Sequence, residues 1–107
     1  MGVPAITVQE LKEMMDRGDA FVLVDVREPH ELAISRIPGS VKIPLGTLPS
    51  NLSKLSMADA TVVHCRTGVR SAKAVQFLMT AGFRKVWNLT GGIDRWAVEI
   101  DPTVPRY

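Results

Sequence analysis

The stretch Thr61-Val62-Val63-His64-Cys65-Arg66-Thr67-Gly68-Val69-Arg70-Ser71 joins a short apolar run to a polar turn containing a glycine. With Ala60, its first residues are mostly β-branched and apolar on both alternating faces. That pattern suits a strand of a parallel sheet covered on both sides. The turn then opens a helix expected over Ser71–Ala81, with Val75, Leu78 and Met79 as its apolar stripe and Gly82 ending it. Strand, short loop and helix in this order form half of a βα crossover unit.

Working outward, Ala20-Phe21-Val22-Leu23-Val24-Asp25-Val26 repeats the buried-strand pattern. Val41-Lys42-Ile43 and Lys85-Val86-Trp87-Asn88-Leu89 are shorter strand candidates. Helix signals lie between them: a short Pro29–Ala33 segment, a loose Leu48–Leu55 segment, and a last helix from near Gly92 carrying Ile93, Trp96 and Ala97. At the start, Thr7-Val8-Gln9-Glu10 has capping-box form, Leu11, Met14 and Met15 share one helical face, and Gly18 stands at the stop. The alternation predicts an α/β fold, an open and mostly parallel sheet with helices on both faces. Residues 101–107, with two prolines, cannot continue a helix and are expected to form an ordered or frayed tail.

The chain has 107 residues, a length that fits one domain. Apolar residues make up 46% and the net charge is +2, a composition that excludes disorder. One cysteine, Cys65, excludes an intramolecular disulfide, and with two histidines in the chain it gives no zinc-finger spacing. No apolar run approaches the roughly 20 residues of a membrane span. The opening Met1-Gly2-Val3-Pro4 has no basic region and no apolar stretch of signal-peptide length, and Ile6 breaks the myristoylation pattern. The expectation is a cytoplasmic, reducing setting with a free thiol, no membrane and no metal. Thr61–Ile93 holds five basic residues and no acid. Without an aromatic platform this is a poor nucleic-acid signal; beside Cys65 it points to an anionic substrate.

In open α/β sheets, ligand sites gather past the carboxyl ends of the strands. Three polar clusters fall there: Asp25-Val26-Arg27-Glu28, the Cys65 loop, and Thr90-Gly91-Gly92. A lone cysteine in an apolar strand is ordinarily a small core residue. Cys65, however, is followed by a glycine turn and a helix start, so backbone amides and the helix dipole face it. Arg66 and Arg70 add formal positive charge, and all three effects lower a thiol pKa. Gly68 permits the turn, and Ser71 is expected as the helix N-cap. His64 points to the opposite face and is expected as a core histidine, although a general-base pair with Cys65 stays open. Asp25 ends a buried strand and needs a partner, either Arg70 or loop amides. Arg27 and Glu31 are expected to pair with each other.

Five motifs, in order, closely resemble the rhodanese-domain family: Asp25-Val26-Arg27-Glu28, Ile37-Pro38-Gly39-Ser40, Ile43-Pro44, Cys65–Ser71 and Leu89–Trp96. The resemblance spans nearly the whole chain. It implies a five-stranded sheet and a Cys65 that cycles between thiolate and persulfide. Arg66, Thr67, Gly68, Val69, Arg70 and Ser71 would cradle the sulfur, with Asp25 and Arg36 in support and no cofactor. Arg36 stands, after Ser35, where the family usually has histidine after glycine, which alters the rim of the site. The same fold hosts cysteine phosphatases, whose arginine follows the cysteine by six positions in a wider ring with an Asp acid nearby. Here Arg70 follows by five and the loop has no Asp, which favours sulfur transfer over a phosphatase, an arsenate reductase or a non-catalytic binding module.

The opening Ile6–Leu11 and the ending Ile100-Asp101-Pro102 to Pro105-Arg106-Tyr107 also resemble the C-terminal rhodanese domain of ubiquitin-activating-like adenylyltransferases. That narrower resemblance implies thiosulfate or a cysteine desulfurase as sulfur donor. It implies an adenylated sulfur-carrier protein as acceptor, as in molybdopterin or thiamin synthesis. It also implies that the chain is a domain of a longer protein, with Met1-Gly2 left by cloning.

Overall fold

The computed structural model describes residues 2–107; Met1 lies outside the described residues. In chain order the elements are β1 (Ala5–Ile6), α1 (Val8–Arg17), β2 (Val22–Asp25), α2 (Pro29–Leu32) and β3 (Val41–Lys42). A 3-10 stretch (Leu45–Lys54), β4 (Thr61–His64), α3 (Val69–Thr80), β5 (Val86–Leu89) and α4 (Gly92–Glu99) follow. The five strands form one sheet in the order β1-β5-β4-β2-β3, and every pairing is parallel.

The double-sided burial expected of the long strands is present. In β4, Val62 packs on one face with Leu23, Val8, Leu11, Ile93 and Trp96. Its neighbour Val63 packs on the other with Val24, Ala74, Val75 and Leu78. One face is thus covered by α1 and α4, the other by α3 and the 3-10 stretch. Buried β-branched side chains fit such a pleated interior.

The capping box at α1 forms as expected: Glu10 N–H donates to Thr7 Oγ1 at 3.1 Å, and Thr7 N–H donates to the Glu10 carboxylate at 2.9 Å. Gly18, at φ +71°, closes the helix.

The structure adds one strand, changes two helix expectations and decides between the alternatives left for the tail. β1 carried no strand signal, because two residues are too few to show a period. The Leu48–Leu55 helix is a 3-10 stretch starting at Leu45 and kinked at Asn51, with Pro49 inside it. Helix α3 begins at Val69, two residues before the expected start, and Met79 faces solvent while Ala74 joins Val75 and Leu78 in the core. The tail is ordered: Val104 is buried against the α1–α4 face, and Arg106 pairs with Asp94 at 2.9 Å.

Register brings the ends of β2, β4 and β5 together, with Asp25 beside His64 and Val63 beside Asn88. The three polar clusters therefore share one edge of the sheet. Among the described residues, no helix is long and apolar enough to cross a membrane.

Candidate active site

Cys65 follows β4 directly and is buried, with Sγ turned toward the start of α3. The chain doubles back at Gly68, whose φ of +108° is open to glycine and strained for other residues. This turn aims the Gly68 amide at Sγ at 3.1 Å and the Ser71 amide at 3.4 Å. Ser71 Oγ lies 3.3 Å from Sγ. Burial opposes ionisation of the thiol. The Ser71 hydroxyl and the amides of Ser71, Gly68 and Thr67 outweigh it, and hold Cys65 below the ordinary thiol range. The mechanism is that of an anion site at a helix N-terminus.

Ser71 is not the N-cap. Gly68 occupies that position, and Ser71 lies in the first turn of α3 with its side chain buried. Its hydroxyl has one proton to share between Asn88 Oδ1 and Sγ, and swings toward the sulfur when Cys65 is ionised, while Asn88 Nδ2 donates to the Gly68 carbonyl at 3.1 Å. Asn88, in β5, thereby ties both ends of the loop to the neighbouring strand.

A second helix supports the loop from behind. At the start of α4, Ile93 N–H donates to the Cys65 carbonyl and Asp94 N–H to the Arg66 carbonyl, both at 3.0 Å. Gly92 makes this approach achievable. A Cβ there would stand 2.5 Å from each of those two oxygens.

The loop amide expected for Asp25 is there, Arg27 N–H donating to Oδ1 at 3.0 Å, but the ion pairs are exchanged relative to expectation. Asp25 is held by Arg27, with Nη2–Oδ2 at 2.8 Å and Nε–Oδ1 at 3.0 Å, both side chains fully buried. Glu31 is held by Arg70 in a two-pronged pair at 2.5 and 2.8 Å. The Arg70 hydrogen bonds keep Glu31 well below the usual carboxylate range, and Glu31 in turn raises Arg70. The reason is positional. Arg27 folds back onto the strand it leaves, while α2 carries Glu31 toward the start of α3.

Tyr107 links the two pairs. Its hydroxyl accepts from Arg27 Nη1 at 3.0 Å and donates to Glu31 Oε2 at 2.7 Å. The guanidinium of Arg66 lies over its ring, 4.7 Å from the centroid.

His64 is fully buried, with Nε2 3.6 Å from Asp25 Oδ2 and 3.4 Å from Ser40 Oγ. Its Nδ1 faces the Cys65 carbonyl and not the thiol. Burial holds its pKa below the ordinary histidine value. The general-base pair with Cys65 is therefore not formed.

Thr67 and Val69 are exposed at the rim of the loop. Arg36 is exposed and lines a surface depression of about 470 Å³ with Pro29, Leu32, Ala33, Lys42 and Pro44, none of them in the Cys65 loop. Asn88, Glu31 as the partner of Arg70, and Tyr107 were not anticipated at this site; Gly92 was placed there, but not its contact with the back of the loop. A polar residue inside the apolar β5 run was the one signal that could have revealed Asn88.

A cysteine at the mouth of a parallel sheet, ringed by helix amides, defines a class of cysteine-nucleophile α/β domains. The Rhodanese-like domain profile matches residues 7–99, and the chain belongs to that family. It is 39% identical to the probable adenylyltransferase/sulfurtransferase MoeZ of Mycobacterium tuberculosis over 95% of this chain and 26% of that protein. It is 35% identical to a sulfurtransferase of Allochromatium vinosum over 89% of both chains. A rhodanese-like domain protein from Staphylococcus aureus superposes with a TM-score of 0.85 at 32% identity, over 98% of this chain and 99% of that one. The chain spans about a quarter to two-fifths of the longer curated relatives.

Proposed function

We propose that the protein is a sulfurtransferase that carries sulfane sulfur as a persulfide on Cys65. The observation that carries this reading is the placing of Sγ at the N-terminus of α3, where the amides of Gly68 and Ser71 meet it at 3.1 and 3.4 Å. Such a cradle stabilises an anionic sulfur and is sized for one atom. With Arg70 at the fifth position after Cys65, it lacks the wider ring of a phosphate site.

The reaction has two steps. The Cys65 thiolate attacks the outer sulfur of thiosulfate. The new S–S bond forms as the old one breaks, and sulfite leaves with the bonding pair. An acceptor nucleophile then attacks the terminal sulfur, and the Cys65 thiolate departs. A protein persulfide, such as one on a cysteine desulfurase, can replace thiosulfate as donor.

The acceptor proposed from the likeness to MoeZ is the adenylated C-terminus of a sulfur-carrier protein. There the terminal sulfur attacks the acyl carbon and expels AMP. An external thiol then attacks the Cys65 sulfur of the acyl disulfide, so that the thiocarboxylate leaves and a mixed disulfide forms, which a second thiol reduces to restore the Cys65 thiolate. Arg66 and Arg70 serve the anionic donor at the rim, Asp25 supports the loop through Arg27, and Arg36 serves the docking of a larger acceptor. The working compartment is proposed to be reducing, as a free thiol requires.

Thiosulfate-to-cyanide transfer, with intact mass after thiosulfate treatment, tests the reading. Wild type should turn over and gain the mass of one sulfur atom, and Cys65→Ser should do neither. A wild-type protein that hydrolyses an aryl phosphate but accepts no sulfur would overturn it.

A further inference from the structure

We infer that Tyr107 is a positioning residue that holds Arg66 at the rim of the Cys65 cradle and thereby sets how strongly an anionic reactant is drawn to the sulfur. The inference rests on the sulfur-transfer reading for its biological meaning, not for its test.

Three observations carry it. First, the two arginines of the loop are not equivalent. Arg70 is neutralised by the two-pronged pair with Glu31. Arg66 makes no salt bridge among the described residues and has only the longer-range charge of Asp94, itself paired with Arg106, to offset it, so it is the less compensated positive charge of the loop. Second, the Arg66 guanidinium lies on the face of the Tyr107 ring at 4.7 Å, the geometry of a cation–π contact. An exposed arginine without such a contact samples many rotamers. Third, the ring itself is fixed. Its hydroxyl sits between Arg27 and Glu31. The chain leading to it is held by buried Val104, by the Arg106–Asp94 pair and by the turn that Asp101 caps through Thr103 N–H at 3.1 Å. Residues 101–107 thus act as a strap that returns an aromatic face to the site.

Alkylation of Cys65 by iodoacetate, an anion, and by neutral iodoacetamide tests the inference at low salt. The ratio of the two rate constants reports the pull on an anion and needs no sulfur transfer. Tyr107→Leu should lower the ratio about two- to fivefold, the size of an exposed cation–π contact. Tyr107→Phe, which keeps the ring but loses the hydroxyl that helps fix it, should fall between wild type and Tyr107→Leu. Arg66→Gln should lower the ratio at least as far, and adding Tyr107→Leu to it should change nothing more. If Tyr107→Leu does not fold, Tyr107→Gln carries the same expectation, because it is polar but has no ring. An unchanged ratio in Tyr107→Leu, an equal slowing of both reagents, or additivity with Arg66→Gln would each overturn the inference. In thiosulfate assays the same loss should raise KM and leave kcat near wild type. A wild type without sulfur transfer but with the expected ratios would sink the functional reading and leave this one standing.

Discussion

Arg70 reaches across from α3 to grip both oxygens of Glu31 on α2, at 2.5 and 2.8 Å. The contact fastens the helix after β2 to the helix that carries the sulfur cradle. Glu31→Gln should lower stability by about 1–2 kcal/mol at pH 7, somewhat under the roughly 1.5–3 kcal/mol of a hydrogen bond to a charged group because Arg70 is a third exposed to screening solvent. Because folding depresses the Glu31 pKa, its contribution is complete above the unfolded value of about 4.3 and fades as pH falls below it. Urea unfolding at pH 7 and pH 3 should show the gap between wild type and variant narrowing in acid. A gap that widens would contradict the ion pair.

The Cys65 thiol ionises more readily than an ordinary thiol because hydrogen bonds outweigh its burial. The iodoacetamide rate should therefore rise with pH at a midpoint below about 8.5, the unperturbed cysteine value. Ser71→Ala removes the hydroxyl but keeps the amide, so its midpoint should move up without reaching the free-thiol value. A midpoint that stays put would show that the hydroxyl contributes nothing to the thiolate.

Gly92→Ala should damage the loop from behind. The added Cβ meets two carbonyl oxygens at 2.5 Å, and the residue sits at φ +57°. Gly18→Ala is the control, since Gly18 has φ +71° and open space around it. The expected losses are about 2–4 kcal/mol at Gly92 and about 1 kcal/mol at Gly18, where only left-handed strain acts. Thermal unfolding of the two variants measures the difference, and equal losses would rule out the backbone contact as the cause.

His64 is buried and favours its neutral form. The unfolded chain takes up a proton there below about pH 6.5, which the folded protein resists, so His64 erodes stability as pH falls through that range. His64→Asn should flatten the stability profile between pH 7 and pH 5. It should leave the pH midpoint of Cys65 alkylation where it is, because the ring faces the Cys65 carbonyl. A shifted midpoint would restore a direct role for the histidine.

The central strands were legible because burial on both faces leaves an unmistakable apolar run, as in Val62-Val63 and Leu23-Val24. The cradle was legible because strand, glycine and helix start are consecutive in sequence, and backbone amides need no particular side chain. Partner choice was not. Whether Arg70 meets Asp25 or Glu31 depends on how α2 leaves the sheet, a three-dimensional fact with no local pattern. Ser71 looked like a cap because its residue type suits one, but the left-handed Gly68 starts the helix earlier and turns the hydroxyl inward. Tyr107 was beyond reach, lying 42 positions after Cys65 in a stretch without periodicity.

Both outer strands, β1 and β3, are only two residues long. Sheets recruit further strands through the unpaired amides and carbonyls of their edges, and such brief edges offer almost none. The reactive sulfur is thus housed in a sheet that has little means of growing sideways. A strand offered by another protein would find little backbone at either edge to pair with.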